Sequence, residues 1–151
     1  MLEEYEKKRH SEKTPEPFIR DSYGSTDKPT FVVQRHYAHN LHYDFRLEVD
    51  GVLKSWAVPK QPPKETGIKR LAIQTEDHPL SYADFEGEIP EGEYGAGKVE
   101  IWDKGTFELK KYEEKEIALT LHGEELKGNY TLIKTKYGKG ENDWLFFKRP
   151  D

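Results

Sequence analysis

An imidazole and a carboxylate share one face of a predicted strand. His42 and Asp44 are two residues apart in a stretch where apolar and polar residues alternate from Leu41 to Val49. Alternation with period two is typical of a half-buried strand, so both side chains would project from the same face. Their Cα atoms would then lie roughly 6.5–7 Å apart, which allows both side chains to reach one ion.

A third ligand is available from the preceding strand. His36 ends that strand, whereas His39, the alternative third ligand, falls in the predicted turn between the two strands. Two imidazoles and one carboxylate suit a divalent transition metal, and this ligand set does not separate Zn from Mn or Fe. The competing interpretation is a solvated face on which Asp44, Arg46 and Glu48 neutralise one another. We favour a metal held by His36 and the two strand residues.

A tight turn sets what lies opposite these side chains. Asp50-Gly51, between two valines, predicts a two-residue type I′ hairpin. The resulting register places Arg46 opposite Ser55 and Asp44 opposite Ala57. Both opposing residues are small, which leaves room for a ligand above the polar row.

The elements that position these residues are predicted to be short strands. Strand-like patterns recur at residues 31–36, 70–76, 99–102, 106–109, 117–121, 129–135 and 144–148, with almost no helical periodicity. Asp103-Lys104-Gly105 predicts a second hairpin, and residues 81–97 predict a long glycine-rich loop. Eight or nine such strands predict an all-β, mainly antiparallel protein. We expect a compact, closed or partly closed barrel of about eight strands with few short helices.

The chain is predicted to be a single domain with an irregular beginning. Residues 1–26 are charged and interrupted by prolines, so they predict an irregular arm, and residues 27–151 would form the barrel. The net charge of −5 argues against a broad non-specific grip on nucleic acid, although it allows a locally basic pocket. The absence of cysteine excludes thiolate metal sites. The absence of a long apolar run leads us to expect a cytoplasmic protein without membrane partners.

A glycine-rich segment superficially fits a nucleotide-binding loop. Residues 92–98 have the spacing of a phosphate-binding P-loop, but Val99 stands where Ser or Thr must reach magnesium. A strand is predicted to follow, whereas a P-loop is followed by a helix whose N-terminus receives the phosphate. We therefore reject the nucleotide-binding interpretation.

Two other functions explain a metal on this strand. The His42-x-Asp44 pair with a later histidine fits a non-haem iron oxygenase, and a short barrel fits a non-catalytic, cupin-like metal- or ligand-binding protein. Neither function explains why Arg46, Lys60 and Arg70 would gather near the metal. Those cations indicate a site for an anionic phosphate.

Longer motifs make the chain resemble one family. They are QRH at 34–36, LHYDFRLE at 41–48, LKSWAVPK at 53–60, KRLA at 69–72, EDHPL at 76–80, YADFEG at 82–87 and IPEG at 89–92. In order and spacing they resemble the 3′-phosphoesterase domain of bacterial DNA ligase D. The resemblance runs from about Thr14 to the end of the chain and covers no ligase or polymerase domain, so it is that of a freestanding member.

The resemblance implies an activity. Such a domain is a compact β-barrel that trims 3′ ends during nonhomologous end joining, with Mn²⁺ as cofactor; Co²⁺ or Zn²⁺ could occupy the same site. It removes a 3′-terminal ribonucleoside by phosphodiester cleavage, and then removes the remaining 3′-phosphate to leave a 3′-hydroxyl. The implied partners are the 3′ end of a DNA or RNA-tailed primer-template, an ATP-dependent DNA ligase and a Ku-type end-binding protein.

The resemblance also implies roles for individual residues. The metal ligands would be His36, His42 and Asp44, as the spacing predicts, and the scissile phosphate would be contacted by Arg46, His78 and Tyr82. Further positions that matter for activity or substrate binding are Gln34, Lys60, Arg70, Glu76, Arg9 and Glu16. The last two imply that the arm, residues 1–26, packs on the site. The family usually has an acidic residue after the arm arginine, where this chain has His10.

One histidine has an expected role in proton transfer. His78 would protonate the leaving oxygen or bind the phosphate, because an unperturbed imidazole titrates near neutral pH. Direct attack by water and a covalent histidine intermediate are both compatible with the residues.

Overall fold

A computed structural model describes residues 29–90, 92, 96–135 and 141–150. These residues form nine strands and one 3₁₀ helix, Leu80–Asp84. The strands are β1 (Thr30–Tyr37), β2 (Leu41–Val49), β3 (Val52–Val58), β4 (Lys69–His78), β5 (Gly87–Ile89), β6 (Gly97–Glu113), β7 (Glu116–His122), β8 (Lys127–Lys134) and β9 (Asp143–Lys148). The predicted N-terminal arm, with Arg9 and Glu16, lies outside the described residues.

The strands form a closed antiparallel barrel. The order is β1-β2-β3-β4-β9-β8-β7-β6, and a further pairing of β6 with β1 closes the sheet. The short strand β5 adds to one end of β6. The predicted all-β barrel of about eight strands is confirmed. Within the described part of the chain, no helix is long and apolar enough to span a membrane.

The β2–β3 hairpin forms as predicted. Asp50 has φ 53° and Gly51 has φ 83°, and a type I′ turn requires positive φ at both positions. The turn pairs Asp44 with Ala57 and Arg46 with Ser55. The register predicted from the turn is therefore confirmed.

The predicted hairpin at Asp103-Lys104-Gly105 is wrong, because β6 runs without a turn through these residues. The buried Asp103 carboxylate instead accepts hydrogen bonds from the backbone N–H groups of Glu124 and Leu126, each at 2.8 Å. A Cβ at Gly105 would collide with the carbonyl oxygen of His122. The aspartate and the glycine therefore serve a close approach to the segment between β7 and β8.

The predicted long loop at 81–97 contains two regular elements. They are most of the 3₁₀ helix and strand β5. Strand β4 extends from Lys69 through His78, beyond the predicted range of 70–76 at both ends. The helix follows directly after Pro79, whose carbonyl accepts a hydrogen bond from the Tyr82 N–H at 3.0 Å.

Two separate apolar clusters fix the inside and the outside of the barrel wall. The interior is packed mainly by aromatic and aliphatic side chains, with Phe45 stacked on Phe146 at a centroid distance of 4.6 Å. On the outer face, the buried residues Val32, Leu53 and Ala83 form a second cluster, which also includes Leu80, Tyr82 and Ile101. Burying a large apolar side chain contributes roughly 1.5–3 kcal/mol, so this second cluster holds the 3₁₀ helix against the outer wall.

Candidate metal and phosphate site

The three predicted metal ligands lie together on the outer face of β1 and β2. His36 and His42 are directly opposite each other in the strand register, and Asp44 is two residues further along β2. Their possible ligand atoms all lie within 4.8 Å of one another. His42 Nε2 is 3.2 Å from one Asp44 oxygen, and His36 Nδ1 is 3.8 Å from the other. Among the described residues, this cluster does not include the exposed His39.

The other ring nitrogen of each histidine faces a backbone carbonyl. His36 Nε2 lies 3.2 Å from the Ala96 oxygen, and His42 Nδ1 lies 3.4 Å from the Asn40 oxygen. Histidines that bind metals usually donate their second N–H in this way, which fixes the tautomer and the ring orientation. In the tautomer that donates to these carbonyls, His36 Nδ1 and His42 Nε2 would carry no proton and would both be available to a metal beside Asp44. The donor set therefore fits a divalent transition metal.

The electrostatics of the cluster favour a charged carboxylate. Burial raises the pKa of Asp44, but the hydrogen bond with His42 and the positive charge of Arg46 outweigh burial and lower it. The same hydrogen bond raises the pKa of His42 above its ordinary value. If a metal binds here, protons would compete with it at His42, and Asp44 would offer it a negatively charged oxygen at neutral pH.

Arg46 is buried beside this cluster, with only 4% of its surface exposed. Its Nε donates to Gln34 Oε1 at 2.6 Å, and its Nη1 donates to Ser55 Oγ at 2.8 Å. Its Nη2 lies 3.4 Å from Asp44 Oδ2. Burial lowers the pKa of Arg46, although a guanidinium keeps its charge in proteins. Each nitrogen thus has an oxygen partner, so the fork is held in one orientation.

Gln34 connects the guanidinium to the 3₁₀ helix. Its carbonyl oxygen accepts from Arg46, while its Nε2 lies 2.8 Å from the Tyr82 oxygen and 3.2 Å from the Phe85 oxygen. The side chain is fully buried. Both ends of the amide are therefore used to join the barrel wall to the segment that packs on it.

His78 and Tyr82 pack against the Arg46 guanidinium. The Arg46 carbon lies 4.8 Å from the centre of the Tyr82 ring, and the rings of Tyr82 and His78 are 5.0 Å apart. His78 Nδ1 lies 2.9 Å from the Glu76 backbone oxygen, 3.0 Å from Arg46 Nη1 and 3.3 Å from Ser55 Oγ. These contacts bring His78, Tyr82 and Arg46 into one site, as the sequence predicts.

The titration of His78 differs from the expectation. Burial, followed by the charge of Arg46, lowers the pKa of His78 to about 4. The premise that His78 titrates near neutral pH is therefore wrong for the protein without substrate, in which this imidazole is neutral. Burial raises the pKa of Tyr82, so its phenol keeps its proton.

Among three further predicted residues, Arg70 lies away from this site, and Lys60 and Glu76 have exposed side chains. Arg70 is in register with the core residue Phe146, which places it on the opposite face of β4 from the site, and its Nε donates to the Gln61 oxygen at 2.8 Å. The Glu76 side chain is exposed, and its backbone oxygen contacts His78. Lys60 is exposed in the loop after β3. The alternation pattern of β4 separates Arg70 from the site.

Ser55 is a residue of the site that the sequence motifs do not single out. The sequence predicts room for a ligand opposite Arg46, whereas in the structure the Arg46 guanidinium donates a hydrogen bond to the Ser55 hydroxyl there. The Ser55 hydroxyl donates to the Leu53 oxygen at 3.1 Å, which leaves its lone pair for Arg46. A hydroxyl directly opposite an arginine in a hairpin register is the signal that could have identified it.

Comparison with known proteins identifies the family of the chain. The family model described as the DNA ligase D 3′-phosphoesterase domain matches residues 34–134. The multifunctional non-homologous end joining DNA repair protein LigD of Mycobacterium tuberculosis is 53% identical over 138 residues, which are 89% of this chain and 18% of that protein. LigD of Pseudomonas aeruginosa is 47% identical over 156 residues, 99% of this chain and 19% of that protein.

A third relative, LigD of Mycolicibacterium smegmatis, is 46% identical over 161 residues, 99% of this chain and 21% of that protein. The chain thus spans about a fifth of the length of these relatives. The matched region contains the histidines, Asp44 and Arg46 of the outer-face site, as well as the 3₁₀ helix that covers it. The chain belongs to the DNA ligase D 3′-phosphoesterase domain family.

Proposed function

We propose that this chain is a metal-dependent phosphoesterase that processes the 3′ ends of nucleic acids. It removes a 3′-terminal ribonucleoside as a phosphodiesterase, and then the 3′-phosphate as a phosphomonoesterase, leaving a 3′-hydroxyl for nonhomologous end joining. The observation that carries the proposal is a His-His-Asp cluster with a buried arginine beside it on one face of the barrel. Membership of a 3′-phosphoesterase domain family supports the same class of reaction.

The cofactor we propose is Mn²⁺, held by His36, His42 and Asp44. A divalent metal bound there would withdraw charge from a phosphate oxygen or lower the pKa of a bound water. The ligand set also accepts Co²⁺ or Zn²⁺, because two imidazoles and a carboxylate do not distinguish strongly among these ions.

Arg46 is the proposed phosphate clamp. A phosphoryl transition state spreads negative charge over its oxygens, and a planar guanidinium can donate to two of them. Because Gln34 and Ser55 already hold the fork, little reorganisation is needed when the phosphate binds. The protonated phenol of Tyr82, whose ring lies over the Arg46 guanidinium, adds a neutral donor to the same oxygens.

His78 is proposed to acquire its proton only with substrate. The negative charge of a bound phosphate opposes the lowering of the His78 pKa by burial and by Arg46. The imidazole could then protonate the leaving oxygen, which the neutral form in the free protein cannot do. The exposed residues Lys60 and Glu76 are proposed to act on the substrate strand rather than on the reacting phosphate.

The proposed substrate is the 3′ end of a primer-template. An ATP-dependent DNA ligase, with a Ku-type end-binding protein, would use the 3′-hydroxyl that the reaction produces.

The test uses a labelled primer that ends in one ribonucleotide, annealed to a template and incubated with and without Mn²⁺. We expect a shortened product ending in 3′-phosphate and then a 3′-hydroxyl product, both dependent on the metal. Asp44→Ala and His42→Ala should abolish both steps, whereas Glu125→Ala, in an exposed pair with Lys64, should not. Full activity of Asp44→Ala would reject the metal site.

A further inference from the structure

An apolar surface adjoins the candidate site on the same outer face of the barrel. It consists of Ala57 on β3 and Leu71 and Ile73 on β4, and we call it the apolar shelf. Leu71 is 39% exposed and Ile73 is 36% exposed, so two large aliphatic side chains lie side by side on one face of β4 and are open to solvent. The outer-face residues Val32 and Leu53, by contrast, are buried in the cluster that includes the 3₁₀ helix.

Strand register connects the shelf to the metal ligands. Asp44 pairs with Ala57, and Ala57 pairs with Ile73, so the three residues form one row across β2, β3 and β4. Neighbouring strands are about 4.8 Å apart, so Ile73 lies roughly 10 Å from Asp44 along the sheet. Ala57 has no side chain beyond Cβ to separate the two. A ligand held at the metal site could therefore extend over the shelf without crossing a polar barrier.

The charges around the shelf favour a ligand with phosphates. Lys69 begins β4 on the same face as Leu71, with its Nζ 5.4 Å from the Phe147 ring centre, and Lys60 is exposed three residues after Ala57. Asp143, which follows Ile73 in the row, is buried. In a chain of net charge −5, an apolar surface with two lysines at its border suits a nucleotide better than it suits a basic partner.

We propose that the apolar shelf binds the base of a nucleotide that flanks the scissile phosphate. This inference rests on the proposed function, because it identifies how the substrate strand continues beyond the metal site. The face of any base can make apolar contacts with Leu71 and Ile73, and because such contacts are non-directional, binding is tolerant of sequence. The phosphates of the strand then follow the lysine border.

The experiment combines variants of the protein with variants of the substrate. Leu71→Ala/Ile73→Ala is compared with wild type on template-annealed primers that carry all bases, or that lack the base of the terminal or the penultimate nucleotide. We expect the double variant to lose about 10-fold in kcat/KM on the complete primer, mainly through KM, because the shelf holds a part of the substrate that does not react. Leu109→Ala, at a site 40% exposed on β6, is the matched control and should show no loss.

Comparing both proteins on all primers shows whether the shelf contacts a base. One of the two abasic primers lacks the base that the shelf binds. On that primer, wild type should lose about 10-fold in kcat/KM relative to the complete primer. The double variant should lose less than about 2-fold more than wild type, because the contact between shelf and base is already absent. If removing the base of the terminal or of the penultimate nucleotide lowers kcat/KM in this pattern, the shelf proposal is supported and the bound nucleotide is identified. Equal activity of wild type and double variant on all primers overturns it, as does a variant loss that persists unchanged on both abasic primers.

Fluorescence anisotropy with the same primers separates this proposal from the proposed function. If wild type fails to process any primer, the proposed function fails, while base-dependent weakening of primer binding in the double variant still supports the shelf. If wild type turns over the primers but neither readout depends on the shelf and the base, only the shelf proposal fails.

Discussion

At the scale of single residues, Arg46 shows how the chain keeps a charge in a buried position. Its three nitrogens face Gln34, Ser55 and Asp44, so oxygen atoms of the protein replace the water that would surround an exposed guanidinium. An unpaired buried charge is strongly destabilising, whereas a fully bonded one is tolerated. The arrangement leaves the site with a rigid donor that is ready for an anion.

His78 supports a prediction about pH and stability. Its pKa is about 6.5 in an unfolded chain and is lowered to about 4 in the folded protein. Between these values the unfolded chain binds more protons, so the free energy of unfolding falls as the pH falls from about 6.5 towards 4. One pKa unit corresponds to about 1.4 kcal/mol, and partial exposure of the ring reduces the effect at pH 5 to roughly 1 kcal/mol.

Urea unfolding at pH 7 and pH 5, with chelator present, measures this contribution. Wild type should lose roughly 1 kcal/mol more than His78→Gln between the two pH values, because groups common to both proteins cancel. His122→Gln, which removes an exposed histidine beside Glu108, should behave like wild type. Identical pH dependence of wild type and His78→Gln would show that His78 is not held neutral by the fold.

At the scale of elements, the 3₁₀ helix is what turns a polar strand face into an enclosed site. It carries Tyr82 and is held on the barrel wall by an apolar cluster and by the Gln34 amide. Gln34 and Tyr82 are 48 residues apart in the chain. The geometry at the phosphate position therefore depends on how well this short helix stays in place.

Substitutions of Gln34 test the docking of the helix. Gln34→Glu keeps an acceptor for Arg46 but loses the N–H donors to the Tyr82 and Phe85 carbonyls, whereas Gln34→Leu loses both functions. An unsatisfied buried polar group costs about 1–3 kcal/mol, so we expect both variants to lower kcat by 10-fold or more. Backbone hydrogen exchange at Tyr82 and Phe85 should accelerate in both, since each donates within this helix segment.

The two variants should differ at Arg46. Gln34→Leu should raise KM for a 3′-phosphate primer more than Gln34→Glu does, because only the glutamate still orients the guanidinium. Unchanged exchange at Tyr82 in both variants would contradict the docking role of the amide. Thr120→Val, which removes an outer-face hydrogen bond to Asn129 far along the barrel, is a suitable control.

At the scale of the whole molecule, the proposed metal ligands lie on two strands of a closed barrel. β1 pairs with β2 on one side and with β6 on the other, so it is the strand at which the barrel closes. A metal that links His36 on β1 with His42 and Asp44 on β2 binds the folded chain and not the unfolded one. Binding of this kind stabilises the fold in proportion to the logarithm of metal concentration.

Thermal unfolding with increasing Mn²⁺ measures this coupling. At a metal concentration 100 times the Kd, stabilisation is about 2.7 kcal/mol, which raises Tm by roughly 5–10 °C for a chain of this size. His42→Ala should abolish the shift, and His122→Ala should keep it. Because the pKa of His42 is raised, the shift should shrink as the pH falls below neutrality. The same rise in His42→Ala would contradict the ligand set.

The sequence by itself determined the features that depend on short-range geometry. Period-two alternation identified the strand face, and the Asp50-Gly51 turn set the register of Asp44 and Arg46 against β3. The position of His36 is also set locally, because His36 pairs with His42 across the short connection between β1 and β2. A few residues of covalent chain are enough to fix such relations, and the barrel class follows from the number and spacing of the strands.

Only the tertiary structure decided relations between distant segments. It showed that the 3₁₀ helix packs on the outside of the barrel, and that Asp103 anchors a distant segment where a hairpin was predicted. It also separated Arg70 from the site and gave Ser55 and Gln34 their hydrogen bonds. The reason is physical: burial and hydrogen bonding between segments far apart in the chain outweigh the local preference of a dipeptide or a loop composition.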